Sequence, residues 1–378
     1  MKIVVAPDSF KESLSAPHAA EAIINGFSEI FPSADYHPIP LADGGEGTVA
    51  ALVAASGGRV VRTKVHGARM TDVDSFFGIL SNEQTAVIEV AAACGLEQLT
   101  PSLRNPKLTT SYGVGELIIA ALDQGVSHIL VGLGGTASND AGSGMLQALG
   151  AKFLDAQGHE LPAGGAALGQ LVTIDFSSLD PRLKKAKIDV AYDVDNVLCG
   201  PNGASFIFGA QKGADHKAII ELDNALNHFA KRCYEQYGMD LLSIEGGGAA
   251  GGLGAAFAGI LNAVLSPGVE LLMDALQIDE ALQGADLVIT GEGRIDGQSL
   301  SGKTPFGVAQ RAKKYGVPVI AIGGSLGDNY EKLYEHGITA IFSCVNRVDQ
   351  LSEILASAET DLISSARNIA ALWKLAAK

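Results

Sequence analysis

The sequence predicts an α/β protein built on a parallel sheet, and three observations lead there. The chain has 378 residues, more than the ~250–300 at which a single hydrophobic core stops growing, so two domains are expected. Both ends read as short apolar strands alternating with segments whose apolar residues recur at helical spacing, the grammar of βαβ units. The 46 glycines, nearly twice the usual share of ~7 %, follow no collagen-like period and therefore mark many tight loops.

In chain order, residues 2–7 form a buried strand, 8–15 a loop, and 17–31 an amphipathic helix with Ser15 as its N-cap. A second strand at 35–41 leads through the loop Ala42-Asp43-Gly44-Gly45-Glu46-Gly47-Thr48 into a helix over 49–56. At the far end, 286–290, 317–322 and 340–343 are apolar strands separated by helices, giving five strands for one sheet. Between them the pattern changes, with alternating strands around 75–80 and 85–90 followed by helices and glycine-rich loops. A two-stranded N-terminal unit is too small to bury its own sheet. The expectation is therefore a discontinuous, Rossmann-like three-layer domain of residues 1–68 and 285–378, interrupted by an inserted α/β domain at 69–284.

Charge and cysteine usage exclude several classes. With 27 Lys and Arg against 42 Asp and Glu, the net charge of −15 repels nucleic acid and anionic lipid, and no basic patch offsets it. Cys94, Cys199, Cys233 and Cys344 show no C-x-x-C spacing and read as reduced structural thiols rather than zinc ligands. The first residues enter a strand directly, without signal-peptide organisation. The longest apolar stretch, near 252–265, is too short to span a bilayer. A cytoplasmic protein with no membrane partner is expected.

Two short motifs invite misreading. Gly132-Leu133-Gly134-Gly135-Thr136-Ala137 follows a strand at 128–131 and formally satisfies a dinucleotide fingerprint, which is the case for an NAD-dependent oxidoreductase of a small hydroxy acid. Ser138, Asn139 and Asp140 come next, and a carboxylate in the turn repels a pyrophosphate. Gly297-Gln298-Ser299-Leu300-Ser301-Gly302-Lys303-Thr304 is a literal G-x4-G-K-T, with Pro305 in the first turn of a helix. Its strand is expected to end near Thr290, leaving 291–296 between strand and motif, so the context of a P-loop is missing. Lys303 and Thr304 still precede a helix whose N–H groups suit an anion.

The position of the polar loops says more. Asp8-Ser9-Phe10-Lys11, Asp43-Gly44-Gly45-Glu46, the run from Gly291 to Asp296 and Gly323-Gly324-Ser325 each follow a predicted parallel strand, so all emerge on the carboxyl edge of one sheet, where open α/β sheets bind ligands. Within the insertion, Asp193-Val194-Asp195-Asn196 follows an apolar strand at 187–190. Carboxylates one residue apart suit Mg²⁺ or a general base, while an Asx-turn is the plainer reading. The run from Gly246 to Gly254 opens a helix and has the look of a phosphate cradle, although tight packing explains such glycines nearly as well.

Taken together these blocks resemble the glycerate kinase family, in its bacterial type I branch. The resemblance rests on KIVVAPDSFKESLSA at 2–16, ADGGEGT at 42–48, GLGGTASNDAG at 132–142, DVDNVLCGPNGA at 193–204, GGAAGGLG at 247–254 and TGEGRIDGQSLSGKTP at 290–305. It runs in order through essentially the whole chain. It implies ATP-dependent phosphorylation of D-glycerate with Mg²⁺ in a cytoplasmic enzyme, with 2-phosphoglycerate as product. A homo-oligomer stays open, and a non-catalytic sugar-acid sensor is the remaining alternative beside the oxidoreductase.

Phosphoryl transfer asks for positioning, positive charge and a base. Lys11 and Arg294 are expected to face the transferred phosphoryl group or the glycerate carboxylate, with Lys303 a third candidate. Asp193 is the expected general base and Asp195 the near alternative. Asp8, Ser9 and Ser325 join Lys11 and Arg294 as substrate-binding candidates. Asp43, Glu46, Glu292 and Asp296 are the candidate Mg²⁺ ligands. Gly134, Gly135, Thr136, Ser138, Asn139, Gly247, Gly248, Gly251 and Gly252, with Lys303 and Thr304, are assigned to nucleotide phosphates, and the donor and acceptor loops are interchangeable at this level.

Overall fold

The computed structural model describes residues 1–42, 45, 47–300 and 303–376. Its strands are β1 (Lys2–Val5), β2 (Asp35–Pro38), β3 (Arg59–His66), β4 (Asp72–Ile79), β5 (Thr85–Glu89), β6 (His128–Gly132), β7 (Lys152–Leu154), β8 (Thr173–Asp175), β9 (Lys187–Tyr192), β10 (Val264–Pro267), β11 (Leu287–Ile295), β12 (Val319–Leu326) and β13 (Ala340–Ser343). With helices between most of them, the class is mixed α/β. The chain divides into two compact units, one of residues 1–43, 50–56 and 269–378, the other of 44–49 and 57–268.

The first unit holds a parallel sheet in the order β13-β12-β11-β1-β2. Alternate residues of its central strands, Ile3 and Val5, Leu287 and Ile289, Ile320 and Ile322, point into one core, as the two-residue period of a strand requires. Helix Ala16–Ser28 covers them with Ala19, Ala20, Ile23 and Phe27, and helix Ala358–Ala376 with Leu362, Ala366, Ile369 and Ala370. These helices meet at Gly26, where a Cβ would lie 2.4 Å from the Ile363 carbonyl oxygen. Ser15 caps the first of them, accepting from the His18 amide.

Two expectations change. The polar run 291–295, expected as loop, continues β11, because its register with β12 persists from Val288↔Val319 to Ile295↔Leu326. Backbone pairing does not depend on apolar side chains, so a ladder runs on past the covered part of a sheet. The other change concerns the division of the chain: residues 47–49 and 57–68 group with the second unit and 269–284 with the first, whereas 68 and 284 were the expected bounds. β3 is taken by antiparallel pairing with β4 along its whole length. Helices Gly268–Ala275 and Ile278–Leu282 are held in the first unit by buried Arg311, whose guanidinium donates to Glu270 at 2.6 Å, Asp279 at 2.7 Å and Asp274 at 2.8 Å.

The second unit holds a mixed sheet in the order β10-β9-β6-β5-β4-β3, parallel from β10 to β5 and antiparallel from β5 to β3, beside the small hairpin β7–β8. Its core includes Phe77, Phe153, Phe229 and Phe257, all fully buried. The parallel pairing of β6 with β9 places the loops that follow them on one edge. Among the described residues, no helix is long and apolar enough to cross a membrane.

Candidate active site

In the first unit, the strand order reverses direction between β1 and β11, and the carboxyl end of that pair is where doubly wound sheets take ligands. Of the predicted residues, Asp8, Ser9, Lys11, Glu292, Arg294, Asp296, Lys303, Thr304 and Ser325 belong to this unit. The chain leaving β1 stays beside β11, with the Ala6 amide donating to Ile289 and the Asp8 amide to Gly291, both at 2.8 Å. The Thr304 hydroxyl, in the first turn of helix Thr304–Lys313, donates to the Asp8 carboxylate at 2.6 Å, and the Ser9 amide donates to the same carboxylate at 2.6 Å. A Cβ on Gly293 would lie 3.1 Å from the Lys11 amide nitrogen, so the bare glycine is what lets the Lys11 loop close on the strand. Lys11 itself is exposed.

Glu292 is buried at the end of β11 and accepts from the Ser299 hydroxyl at 2.5 Å. Burial pushes its carboxyl up to about 7; Ser299 and Lys303 oppose the shift, and the nearby Asp8 and Asp296 add to it. Arg294 is largely exposed and pairs with Asp296 at 3.1 Å. Ser325 lies beside Arg294 in the β11–β12 register, and Lys303 occupies the N-cap position of the helix that Thr304 begins. Because β11 runs to Ile295, the G-x4-G-K-T stretch does follow its strand, contrary to the expected gap after Thr290. The expected Asp43 and Glu46 lie outside the described residues, as do Ser301 and Gly302.

In the second unit the loops after β6 and β9 and the glycine run before helix Ala249–Gly259 form a second polar assembly. Leu133 donates to Ala191 at 3.0 Å, Gly248 to Asn196 at 2.8 Å and Ala141 to Gly251 at 3.0 Å, so three separate sequence blocks are stitched together. Asp193 and Asp195 stand exposed at the carboxyl end of β9. Burial, with Glu245 and Asp195 nearby, raises the pKa of the adjacent Tyr192.

The glycines here serve contacts within the protein. Gly135 is exposed and Gly134 half-buried, whereas Gly247, Gly248, Gly251 and Gly252 are buried. A Cβ would lie 2.2 Å from Val197 O at Gly248, 2.1 Å from Ser138 O at Gly251 and 2.6 Å from Ala141 Cα at Gly252. The run that looks like a phosphate cradle is filled by neighbouring backbone, and left-handed residues 250–252 kink the chain before the helix proper. Thr136, Ser138 and Asn139 are likewise buried, and the Asn139 amide donates to Ser205 at 2.9 Å.

Two buried charges were not legible as site residues. Lys212, 3 % exposed, donates to Ser138 O at 2.6 Å and to the Thr136 hydroxyl at 3.2 Å, tying down the loop after β6. Burial pulls its pKa down to about 8, partly opposed by Cys94 and Asp140. Asp140 is fully buried and accepts from the Ser111 amide at 2.8 Å, the Ser111 hydroxyl at 3.0 Å, and the Gly142 and Gly144 amides at 3.2 and 3.3 Å. Its carboxylate fills the place at the following helix N-terminus that a dinucleotide pyrophosphate would need, which removes the motif behind the oxidoreductase alternative. The signal for Lys212 lay in no local pattern, since its partners are more than seventy residues away.

A model of the glycerate kinase family matches residues 3–374. The chain is 51 % identical to the glycerate 2-kinase of Escherichia coli K12 over 371 residues, 98 % of this chain and 97 % of that protein. It is 50 % identical to the glycerate kinase of Bacillus subtilis 168, covering all of this chain and 98 % of that one. The crystal structure described as glycerate kinase 2 from Salmonella typhimurium LT2 superposes with a TM-score of 0.91 at 50 % identity, over 100 % of this chain and 99 % of that one. With the family model spanning residues 3–374 and the fold and about half of all residues shared end to end, this chain belongs to the glycerate kinase family.

Proposed function

We propose that this protein transfers the terminal phosphoryl group of ATP to the 2-hydroxyl of D-glycerate, giving 2-phosphoglycerate and ADP. The observation that carries the reading is the gathering of Asp8, Lys11, Glu292, Arg294, Lys303 and Thr304 at the strand-order reversal of the first unit, in a chain that matches glycerate kinases over its full length. A net charge of −15 leaves local cations and helix N-terminal amides to attract two anionic substrates.

In this reading the N-terminus of helix Thr304–Lys313, with Lys303, holds the phosphate chain, and Lys11 and Arg294 neutralise charge on the transferred group. Asp193 takes the proton from the glycerate hydroxyl, with Asp195 the alternative. The buried glycines of 247–252 act by fixing the loop that carries them. Among the described residues no group of three His, Cys, Asp or Glu is arranged to hold a metal. Mg²⁺ is usually bound by one or two carboxylates together with substrate phosphates, and Glu292 with either neighbour, Asp8 or Asp296, would supply such a pair. When bound, Mg²⁺ would neutralise charge on the nucleotide phosphates. A cytoplasmic location belongs to the proposal, because ATP is the donor.

The test is ADP release from purified protein with D-glycerate, ATP and Mg²⁺, coupled to enolase with and without phosphoglycerate mutase. Signal independent of mutase is the expected result. Signal that needs mutase moves the phosphate to the 3-position, and no glycerate-dependent ADP refutes the kinase.

A further inference from the structure

The first unit contains an apolar cavity of about 320 Å³ whose lining takes in Lys11 and Ser325 but whose apolar walls have no role described so far. It opens beside the carboxyl ends of β12 and β13, next to the Lys11 loop. Its walls include Phe10, Leu326, Val345, Leu351, Ile354 and Leu355. The volume falls within the ~300–1,000 Å³ of small-molecule sites, which are mostly apolar with a few polar groups at the rim. Here the polar lining residues are Lys11, Ser13, Ser325, Ser343 and Asp361.

A second observation concerns the wall. Helix Leu351–Ala356 has no buried residue, although three of its six residues are Leu or Ile, and Leu351 is 68 % exposed. An amphipathic helix ordinarily buries its apolar side. This one turns Leu351, Ile354 and Leu355 towards the cavity.

We infer that this cavity receives the adenine ring and ribose of the nucleotide, an inference that rests on the kinase reading and deepens it. Of the two substrates, D-glycerate is a three-carbon acid with hydroxyls on two carbons and has no apolar face to bury. The purine is the flat, largely apolar part of the other, and stacking against aliphatic and aromatic side chains is how such rings are held. The cavity wall includes Phe10, Lys11 and Gly293, the segments that border the Asp8 and Thr304 hydrogen bond. Lys11 lines the cavity, so a base seated there leaves its phosphates beside one of the cations already assigned to them. On this inference the nucleotide lies on the first unit, and of the loops the sequence left interchangeable those of that unit bind the donor.

The experiment measures ADP affinity by calorimetry, and KM for ATP and for D-glycerate, in the intact protein and in two variants. Ala358→Phe places a ring in the cavity; Leu351→Ser alters an exposed wall residue without threatening the fold. Expected are a loss of ADP affinity and a rise in KM for ATP of about tenfold in the first and about threefold in the second, with KM for D-glycerate and kcat at saturating ATP nearly unchanged. Unchanged ADP affinity in both folded variants, or a rise confined to KM for D-glycerate, overturns the inference. If Ala358→Phe does not fold, Leu351→Ser decides alone. The calorimetry needs no turnover, so ADP binding that the variants weaken, in a protein without glycerate-dependent activity, would sink the kinase reading and leave the cavity standing.

Discussion

The Thr304 hydroxyl donates to the Asp8 carboxylate at 2.6 Å, joining residues 296 positions apart at the reversal point of the first sheet. It locks the loop after β1 to the helix that begins with Thr304. Thr304→Val keeps the shape and removes this donor. The expected result is a rise in KM for ATP of about tenfold with a stability loss of only ~1–2 kcal/mol, and recovery in Thr304→Ser. Steady-state kinetics with thermal melts checks it; a variant that melts early but keeps KM would make the bond structural alone.

Lys212 makes stability depend on pH in a defined window. Its folded pKa, about 8, lies below the ordinary 10.5. Between those values the unfolded chain binds more protons than the folded one, so this group's contribution rises with pH from about 8 to 10.5 and is flat below 8. Guanidinium denaturation across pH 7–10.5 should show Lys212→Met losing that rise, a difference of a few kcal/mol across the window. Parallel curves for the two proteins would refute a buried ammonium.

Asp193→Asn should lower kcat by ~10²–10⁴ while leaving both KM values within a few fold, the signature of a lost base. Asp195→Asn made alongside assigns the role, since the same loss there with a mild Asp193 variant would exchange the two.

The glycine kink after Gly248 gives a paired stability test. Gly251 has φ 71° and its absent Cβ leaves room for Ser138 O, so Gly251→Ala should cost about 3 kcal/mol. Its neighbour Ala250 carries a side chain at φ 53°, and Ala250→Gly should be neutral or stabilising by up to ~1 kcal/mol. Chemical denaturation of both variants separates backbone strain from general sensitivity of the loop.

The sequence by itself determined whatever is encoded over a few residues. The Ser15 cap, the alternation of Ile3 and Val5, the strand starts near 35, 85 and 187, and the placing of Asp8 and Asp193 just after strands were all readable, because caps and side-chain periodicity are local. The tertiary structure decided what depends on partners far away in the chain. β11 runs on to Ile295 because β12 offers it hydrogen bonds, not because its residues are apolar. The glycines of 247–252 look like a cradle until the backbone at 138–141 fills it. Lys212 and Asp140 become buried charges only where loops from β6, the Ser111 segment and the Lys212 segment close together. The cavity walled by Phe10, Leu326 and Leu355 draws on three stretches of chain, each unremarkable alone. Burial and pairing are properties of neighbours in space, and no local pattern names them.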